Sequence, residues 1–524
     1  MSKSEGRIYI IGAGFAGQMI AADVAKKKVF GSVAAFLDDD KAIIGTKIDG
    51  TPVLGPIDTI ADVIRASRKD QAILAIPSAP VERIRRIYTA LKKCGFVQIK
   101  ILPSISQVID EKAHMIQARD INPLDILGRT PITIPLAKSL SYLRGKRVLI
   151  TGAGGSIGSE LSRQLLSGGA ERLYLFGHGE NSIVNIYREL RVLQDEGVGQ
   201  KATVVPIIGD MKDREYLRYI ISRTRADAVF HCAAYKHVPM MEENPVAAIE
   251  NNVFGTKNLL DASLESGVQK FVLISTDKAV EPVNVYGASK MLSEKLVLQA
   301  SKRATSPQAF MFVRFGNVLG SRGSILPLFM EQIRNGGPVT VTDPRMSRYF
   351  MTIPEACSLV LQAGGVGKNG ESYLLDMGEP IKIVDLARQV IRFSGFTPDK
   401  DIKIEFIGAR KGERIEERLW LDEECPQQTE YKKILRLSPC QTVGFDLDDL
   451  IEKLKPICFF TEGKESLYRN PDDLKRILRK AVKSLDEFYS GEEQQSDHSV
   501  KPAIHAQAGK KHFAGFRGAA RAVL

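Results

Sequence analysis

Short apolar runs alternate with amphipathic stretches along most of this chain, and the alternation starts twice. The first start is Arg7–Ile11, an apolar run that reads as a buried strand. It leads through Gly12-Ala13-Gly14-Phe15-Ala16-Gly17 into an apolar helical pattern over residues 19–24. A second strand, Ser32–Leu37, ends in Asp38-Asp39-Asp40, and a third, residues 71–76, is stopped by Pro77. Val81, Ile84, Ile87 and Leu91 then share one face at helical spacing. Strands alternating with helices predict a parallel sheet. This first domain is expected over residues 1–110, with residues 111–140 as a connector broken by Asn122-Pro123 and Arg129-Thr130-Pro131.

The second start, residues 147–150, runs into Thr151-Gly152-Ala153-Gly154-Gly155-Ser156-Ile157-Gly158 and a helix carrying Leu161, Leu165 and Leu166. Further strands are read over residues 173–176, 203–208, 228–232 and 270–274. After about residue 315 the alternation fades into shorter elements with more Gly and Pro. The expected fold is α/β: two Rossmann-like, doubly wound parallel-sheet domains. The second, residues 141–489, divides into a cofactor part to about residue 315 and a smaller substrate lobe over about 316–489. No apolar period survives from Ser490 onward, so residues 490–524 are expected to be a disordered basic tail.

A chain of 524 residues is too long for one ordinary core, and two or three domains are expected. The net charge of +11 suits a phosphorylated substrate, an anionic membrane surface or nucleic acid, although most of it reads as scattered solubilising lysines. A single Trp and the lack of zinc-finger spacing argue against nucleic acid. Cys94, Cys232, Cys357, Cys425, Cys440 and Cys458 form no C-x-x-C pair, which fits reduced thiols rather than a disulfide framework or a zinc site, and no metal is expected. The first residues lack the apolar stretch of a signal peptide, and no run is long enough to span a membrane. A cytoplasmic protein is therefore expected. Lys501, Lys510, Lys511, Arg517 and Arg521 leave a weak membrane-surface contact open, with a solvated tail as the plainer reading.

Gly12, Gly14 and Gly17 sit between strand and helix, where missing side chains let backbone N–H groups approach a pyrophosphate. Asp38 stands where a ribose-binding acid belongs; a nucleotide fold that has lost its ligand is the equal alternative. No acid, base or nucleophile set accompanies this cluster, so a binding or regulatory role is expected. The second cluster, Gly152, Gly155 and Gly158, is more specific. No carboxylate occupies position 177 and Glu180 follows, so NAD and NADP both stay open. Asp210 is placed to accept from an adenine amino group or to cap the next helix. Thr276, Asp277 and Lys278 follow an apolar strand, at the edge where open α/β sheets place their sites. Tyr286 and Lys290 are four apart on one helix face, so the lysine is expected to lower the phenol's pKa and let it take a hydroxyl proton. Lys236 and His237 follow the fourth strand, and Arg322, Arg348 and Arg410 have the planar fork that suits a diphosphate.

These residues carry a resemblance. The stretches ITGAGGSIGSEL at 150, HCAAYKHVPMMEENPVAAIENNVFGT at 231, STDKAVEPVNVYGASK at 275, VRFGNVLGSRGSILP at 313, DPRMSRYFMTIPEA at 343 and GARKGER at 408 resemble the extended short-chain dehydrogenase/reductases. More closely, the chain resembles the polysaccharide-biosynthesis UDP-N-acetylglucosamine 4,6-dehydratases. FLDDDKAIIGTKIDGTPVLG resembles the extra nucleotide-fold domain of the long members and the sugar-nucleotide domain of some bacterial sugar acetyltransferases. The chain departs from the long members in lacking transmembrane helices, in carrying Tyr286 where they often have Met, and in Gly177 where an acid is usual.

The resemblance implies a tightly bound NAD or NADP, a UDP-sugar substrate and a homo-oligomer. It implies a cofactor set of Gly152, Gly155, Ser156, Ile157, Gly158, His178, Asn181, Asp210, Met211, Ala233, Ala234, Tyr286 and Lys290. The substrate set is Lys236, His237, Asn317, Arg322, Arg348, Arg410 and Glu413. Lys278 is implied as the base at sugar carbon 5 and Asp277 as the acid for the leaving 6-hydroxyl, beside Thr276, Tyr286 and Lys290. A sugar 4-epimerase or ketoreductase would need Thr276, Tyr286 and Lys290 but not the Asp277-Lys278 pair. A non-enzymatic NAD(P)-sensing scaffold would need only the glycine turns.

Overall fold

The computed structural model describes residues 6–27, 31–62, 64–77, 79–102, 119–121, 140–438 and 445–499. The first domain is a seven-stranded sheet ordered β3-β4-β2-β1-β5-β6-β7. Its strands are β1 (Arg7–Ile11), β2 (Ser32–Leu37), β3 (Lys47–Ile48), β4 (Thr51–Leu54), β5 (Gln71–Leu74), β6 (Gln98–Ile101) and β7 (Arg119–Asp120), with helices α1 (Phe15–Lys27) and α2 (Val81–Lys93). Side chains alternate between the faces of a strand. Ile8 and Ile10 of β1 therefore pack with Ile20 and Val24 of α1, while Tyr9 and Ile11 pack with Ile84 and Leu91 of α2. Both faces are covered, which is why the strands read as unbroken apolar runs. Strand β7 pairs antiparallel with β6, so residues 119–120 belong to this sheet although they fall in the expected connector.

The second domain is built on a nine-stranded sheet ordered β10-β9-β8-β11-β12-β13-β18-β22-β21. It begins with β8 (Arg147–Thr151), β9 (Arg172–Gly177), β10 (Thr203–Ile208), β11 (Ala228–His231), β12 (Lys270–Ile274) and β13 (Ala309–Arg314), all parallel. Helices α3 (Ser156–Ser167), α4 (Glu180–Asp195) and α5 (Arg214–Thr224) connect the early strands. Next come α6 (Val238–Glu243), α7 (Pro245–Ile249), α8 (Gly255–Glu265) and α9 (Val285–Arg303). The order reverses between β8 and β11, and that is where a doubly wound sheet opens its crevice.

Beyond β13 the chain does two jobs. One is a small lobe with its own core of Leu319, Phe329, Val339, Phe350, Leu386 and Val390. It comprises β14 (Asn317–Leu319), α10 (Ile325–Arg334), β15 (Val339–Val341), β16 (Ser347–Arg348), β17 (Phe350–Thr352), β19 (Ile381–Lys382), α12 (Ile383–Phe393) and β20 (Ile404–Phe406). The other is to complete the sheet through α11 (Ile353–Val366), β18 (Ser372–Leu375), β21 (Pro426–Gln428) and β22 (Ile434–Leu437). The segment read as one substrate lobe is thus shared between lobe and sheet, because Ser372–Leu375 is a fully buried strand.

Three helices close the described chain: α13 (Leu447–Cys458), α14 (Pro471–Ala481) and α15 (Lys483–Ser499). Leu450, Leu454, Leu478 and Leu485 join the core that holds Leu292 and Leu296 of α9. The tail expected from residue 490 starts inside α15, which continues to Ser499; residues 500–524 lie outside the described residues. Among the described residues no helix is long and apolar enough to cross a membrane, and no group of three or more His, Cys, Asp or Glu could hold a metal ion. Cys94, Cys232, Cys357, Cys425 and Cys458 are free thiols; Cys440 lies outside the described residues.

Candidate active site

The glycine turn after β8 is shaped by backbone contacts that a side chain would block. Gly152 has φ +62°, and a Cβ there would lie 2.8 Å from Ala233. A Cβ at Gly158 would lie 2.3 Å from the Gly152 carbonyl oxygen, so α3 starts directly on the turn. A Cβ at Gly155 would meet only one atom within 4 Å, the Gly152 oxygen at 3.1 Å. That open face at a helix N-terminus fits a pyrophosphate. Ala233 N–H donates to Thr151 Oγ1 at 3.3 Å, which ties the end of β11 to the turn. His178 and Asn181 are exposed beside it, and the His178 ring stands edge-on to Tyr235.

Asp210 does not cap α5: its Oδ1 accepts the Lys212 N–H at 2.9 Å, and the cap is Asp213, which accepts from Tyr216 N–H. The Met211 side chain is in the core beside α8, against Gly255, and its carbonyl accepts from Asn258 Nδ2 at 3.2 Å.

The reacting end forms where β12 stops. Thr276, Asp277 and Lys278 begin a short turn there, and α9 starts a few residues later with Asn284 as its cap, accepting the Gly287 N–H at 2.7 Å. Thr276 Oγ1 donates to Asp277 Oδ1 at 2.8 Å, and Thr276 acts on the Tyr286 phenol, favouring its ionised form. Lys278 Nζ donates to Asp277 Oδ1 at 3.1 Å and to Asn317 Oδ1 at 3.1 Å, with Glu417 Oε1 at 3.5 Å. Asp277 is buried, and its Oδ2 has no hydrogen-bond partner. A buried, unpartnered carboxylate oxygen is costly, and this one lies beside Gly316, where an added Cβ would stand 3.2 Å from it.

Charge states follow from these contacts. Burial pushes the Tyr286 phenol up to about 12, against the opposing pull of Lys278 and Thr276. Burial draws the Lys290 ammonium down to about 8, while Glu294 opposes it. The sequence suggested Lys290 as the cation acting on the phenol; instead Lys290 Nζ donates to the Ile274 carbonyl at 2.7 Å, and the cation acting on Tyr286 is Lys278. For Lys278, burial works downward, but Asp277 and Glu417 outweigh it and raise its pKa. Lys236 is lowered by burial and by Lys278.

The remaining candidates divide. Lys236 Nζ donates to Ser321 Oγ at 3.2 Å, and the His237 ring lies so close to Gly323 that a Cβ there would stand 2.3 Å from it. Arg322 N–H donates to Ser156 Oγ at 3.1 Å, while its side chain is exposed. The turn at residues 321–323 therefore touches both the cofactor turn and the end of β11. The two terminal nitrogens of Arg348 donate to the carbonyls of Ser347, Ile415 and Arg414, and Nε faces Glu417 at 3.6 Å. It straps the 414–417 loop with three of its N–H groups on backbone carbonyls. Arg410 is exposed, while Glu413 holds a buried Oε2 without a partner.

Glu417 and Arg414 were not legible as site residues. Their only signal was a mixed-charge run, Lys411 to Arg418, which reads as a solvated loop. Arg414 instead donates to the carbonyls of Val280 and Glu281, behind the Thr276–Lys278 turn. Another buried set, also missed, has Arg314 between Glu294 and Glu424 at 2.7 Å each, locking α9 to β13.

Residues 6–103 match the CoA-binding domain family. The chain is 42% identical over 429 residues to the probable polysaccharide biosynthesis protein EpsC of Bacillus subtilis, covering 82% of this chain and 70% of that one. It is 33% identical over 317 residues to a UDP-N-acetylglucosamine 4,6-dehydratase (inverting) of Campylobacter jejuni, covering 59% of this chain and 89% of that one. It is 35% identical over 283 residues to a UDP-glucose 4-epimerase of Rickettsia canadensis, covering 52% and 77%. Residues 148–439, more than half of the chain and all of the site just described, match the polysaccharide biosynthesis protein family, and the chain belongs to it.

Proposed function

We propose that this protein is a nicotinamide-dependent nucleoside-diphosphate-sugar 4,6-dehydratase acting on UDP-N-acetylglucosamine in surface-polysaccharide biosynthesis. The observation that carries the reading is the buried Asp277–Lys278 pair beside Thr276 and Tyr286. The Gly152–Gly158 turn would hold the pyrophosphate of a nicotinamide cofactor, which would supply a hydride acceptor for carbon 4 and a hydride donor for carbon 6. Tyr286, once deprotonated, takes the 4-hydroxyl proton, with Thr276 beside it favouring the phenolate. The resulting ketone acidifies the carbon 5 hydrogen, which Lys278 removes once neutral. Asp277 uses its unpartnered Oδ2 to give a proton to the departing 6-hydroxyl, and Lys278 returns a proton to carbon 5 as hydride reaches carbon 6, so one water leaves and no net oxidation occurs. Lys236 and Asn317 border this centre and would meet the sugar nucleotide.

A 4-epimerase is the second reading, favoured by the shared Thr276–Tyr286–Lys290 set alone. Incubation with UDP-N-acetylglucosamine in deuterated water separates the two. A dehydratase gives a 4-keto-6-deoxy product lighter by one water, with deuterium at carbon 5. A product of unchanged mass inverted at carbon 4 would overturn the dehydratase reading.

For the first domain we propose a non-catalytic nucleotide site. Gly14 has no atom within 4 Å of where its Cβ would be, which leaves room for a diphosphate of the kind shared by coenzyme A and sugar nucleotides.

A further inference from the structure

The family match ends at residue 439, yet helices α13 to α15 reach back to the catalytic helix. Tyr286 sits in the first turn of α9, where backbone N–H groups have no partner within the helix. Two side chains take these donors on either side of it. Asn284 Oδ1 accepts from Gly287 N–H, and Glu242 Oε1 accepts from Val285 N–H at 2.8 Å. Glu242 is 7% exposed, and its second oxygen accepts the hydroxyl of Tyr489, which is 4% exposed on α15. Lys475 of α14 donates to the Glu242 carbonyl at 3.0 Å, and Ser484 Oγ donates to the Pro282 carbonyl at 2.9 Å. On its other side the Tyr489 ring carries Lys411 Nζ 5.1 Å from its centre, and Asn284 Nδ2 donates to the neighbouring Gly412 carbonyl at 2.8 Å. The loop holding Glu413 and Glu417 and the turn holding Tyr286 therefore meet at one phenol.

We propose that Tyr489 and Glu242 are positioning residues: the C-terminal helices, through this pair, lock the helix turn that carries Tyr286 against the 411–417 loop. The proposal rests on the dehydratase reading for its activity measurement only. Neither residue touches substrate; each fixes where the phenol points. A proton acceptor misplaced by a fraction of an ångström loses rate before it loses binding.

The test is Tyr489→Phe, which keeps the ring and its packing and removes one hydroxyl, with Glu242→Gln as the conservative partner that keeps an acceptor for Val285. Hydrogen–deuterium exchange at residues 285–287 should quicken in Tyr489→Phe while exchange in β12 and the thermal midpoint stay close to the parent protein. kcat for UDP-N-acetylglucosamine should fall roughly tenfold with KM unchanged, and Glu242→Gln should stay within about threefold. Unchanged exchange at 285–287 would overturn the latch whatever the activity does. So would loss of the whole fold, because the contact would then be ordinary packing. Faster exchange in a protein whose parent does not dehydrate UDP-N-acetylglucosamine would leave the latch standing and sink the substrate reading instead.

Discussion

Among the described residues two strand–glycine–helix turns share one design, and one of them adjoins the proposed reaction centre. In both, the first glycine has positive φ, +100° at Gly12 and +62° at Gly152. In both, the last packs on the carbonyl of the first: a Cβ at Gly17 or Gly158 would stand 1.9 or 2.3 Å from that oxygen. They differ in what surrounds the turn. Asp38, at the end of β2, turns its carboxylate onto its own loop and accepts the N–H groups of Ala13, Asp39 and Asp40. The corresponding end of β9 has Gly177 and no carboxylate. Around the second turn, β12 and α9 bring in Thr276, Asp277, Lys278, Tyr286 and Lys290. A glycine turn is thus a backbone shape that holds phosphate; chemistry needs titratable groups delivered by a neighbouring strand end.

The largest expected effect follows directly. Tyr286→Phe should lower dehydration on the order of a thousandfold, the usual worth of a positioned proton-transfer group. Asp38→Asn combined with Gly14→Val should leave the rate within about twofold. Measured side by side on UDP-N-acetylglucosamine, equal losses in both variants would break the comparison and make the first domain part of the active site.

The two turns also differ in tolerance. Gly158→Val drives a side chain into backbone and should lower the unfolding midpoint by more than about 5 °C and release the nicotinamide. Gly14→Val meets open space, so the midpoint should hold while nucleotide binding to the first domain is lost. Differential scanning calorimetry with and without nucleotide reads both.

Glu417→Gln sharpens the account of the reaction centre. Lys278 can act as a base only when neutral, and Asp277 and Glu417 both favour its charged form. Removing one carboxylate lowers the lysine's pKa, so the rising acid limb of kcat should move to lower pH, by roughly one unit. A limb that does not move would detach Glu417 from Lys278.

How far the sequence foretold all this depends on the range of the interactions. The strand starts, both glycine turns and the Thr276-Asp277-Lys278 and Tyr286-Lys290 groups were legible because each is set by neighbours a few residues away. Glu417 was not: it reaches Lys278 across 138 intervening positions, and only the fold brings them to 3.5 Å. Arg348 was expected at the phosphate by residue type, and its hold on the backbone carbonyls of residues 414 and 415 could not be read from that type. Strand β18 was hidden inside an irregular stretch, since four residues are too short for a period to declare itself.

The smallest effect separates the two domains by their response to acid. His231, on β11, is fully buried, with Nδ1 2.7 Å from Thr151 Oγ1 and Nε2 2.8 Å from Thr256 Oγ1. Burial, with a contribution from Lys290, lowers its pKa from 6.5 to about 3. The first domain's buried carboxylate, Asp70, is shifted down from 3.8, chiefly by its hydrogen bond with Arg7. Both folded pKa values lie below the unfolded ones, so both contributions are lost as pH falls, but in different windows. Between pH 6.5 and 3 the unfolded chain binds a proton at position 231 that the folded domain refuses, and stability drops by at most about 1.4 kcal/mol per pH unit. Asp70 contributes no such slope until pH falls below 3.8, and Asp261 and Glu371 of the second domain act only below their ordinary 3.8 and 4.5. Lowering pH from 6 to 5 should therefore move the second domain's thermal midpoint down by a few degrees and leave the first domain's in place. His231→Gln, which keeps polar contact with the two threonines, should flatten that slope. The imidazole carbon resonances of His231 should show no titration above pH 5; a midpoint near 6 would mean that the ring is reached by water and that the core beneath the second turn is looser than its contacts require.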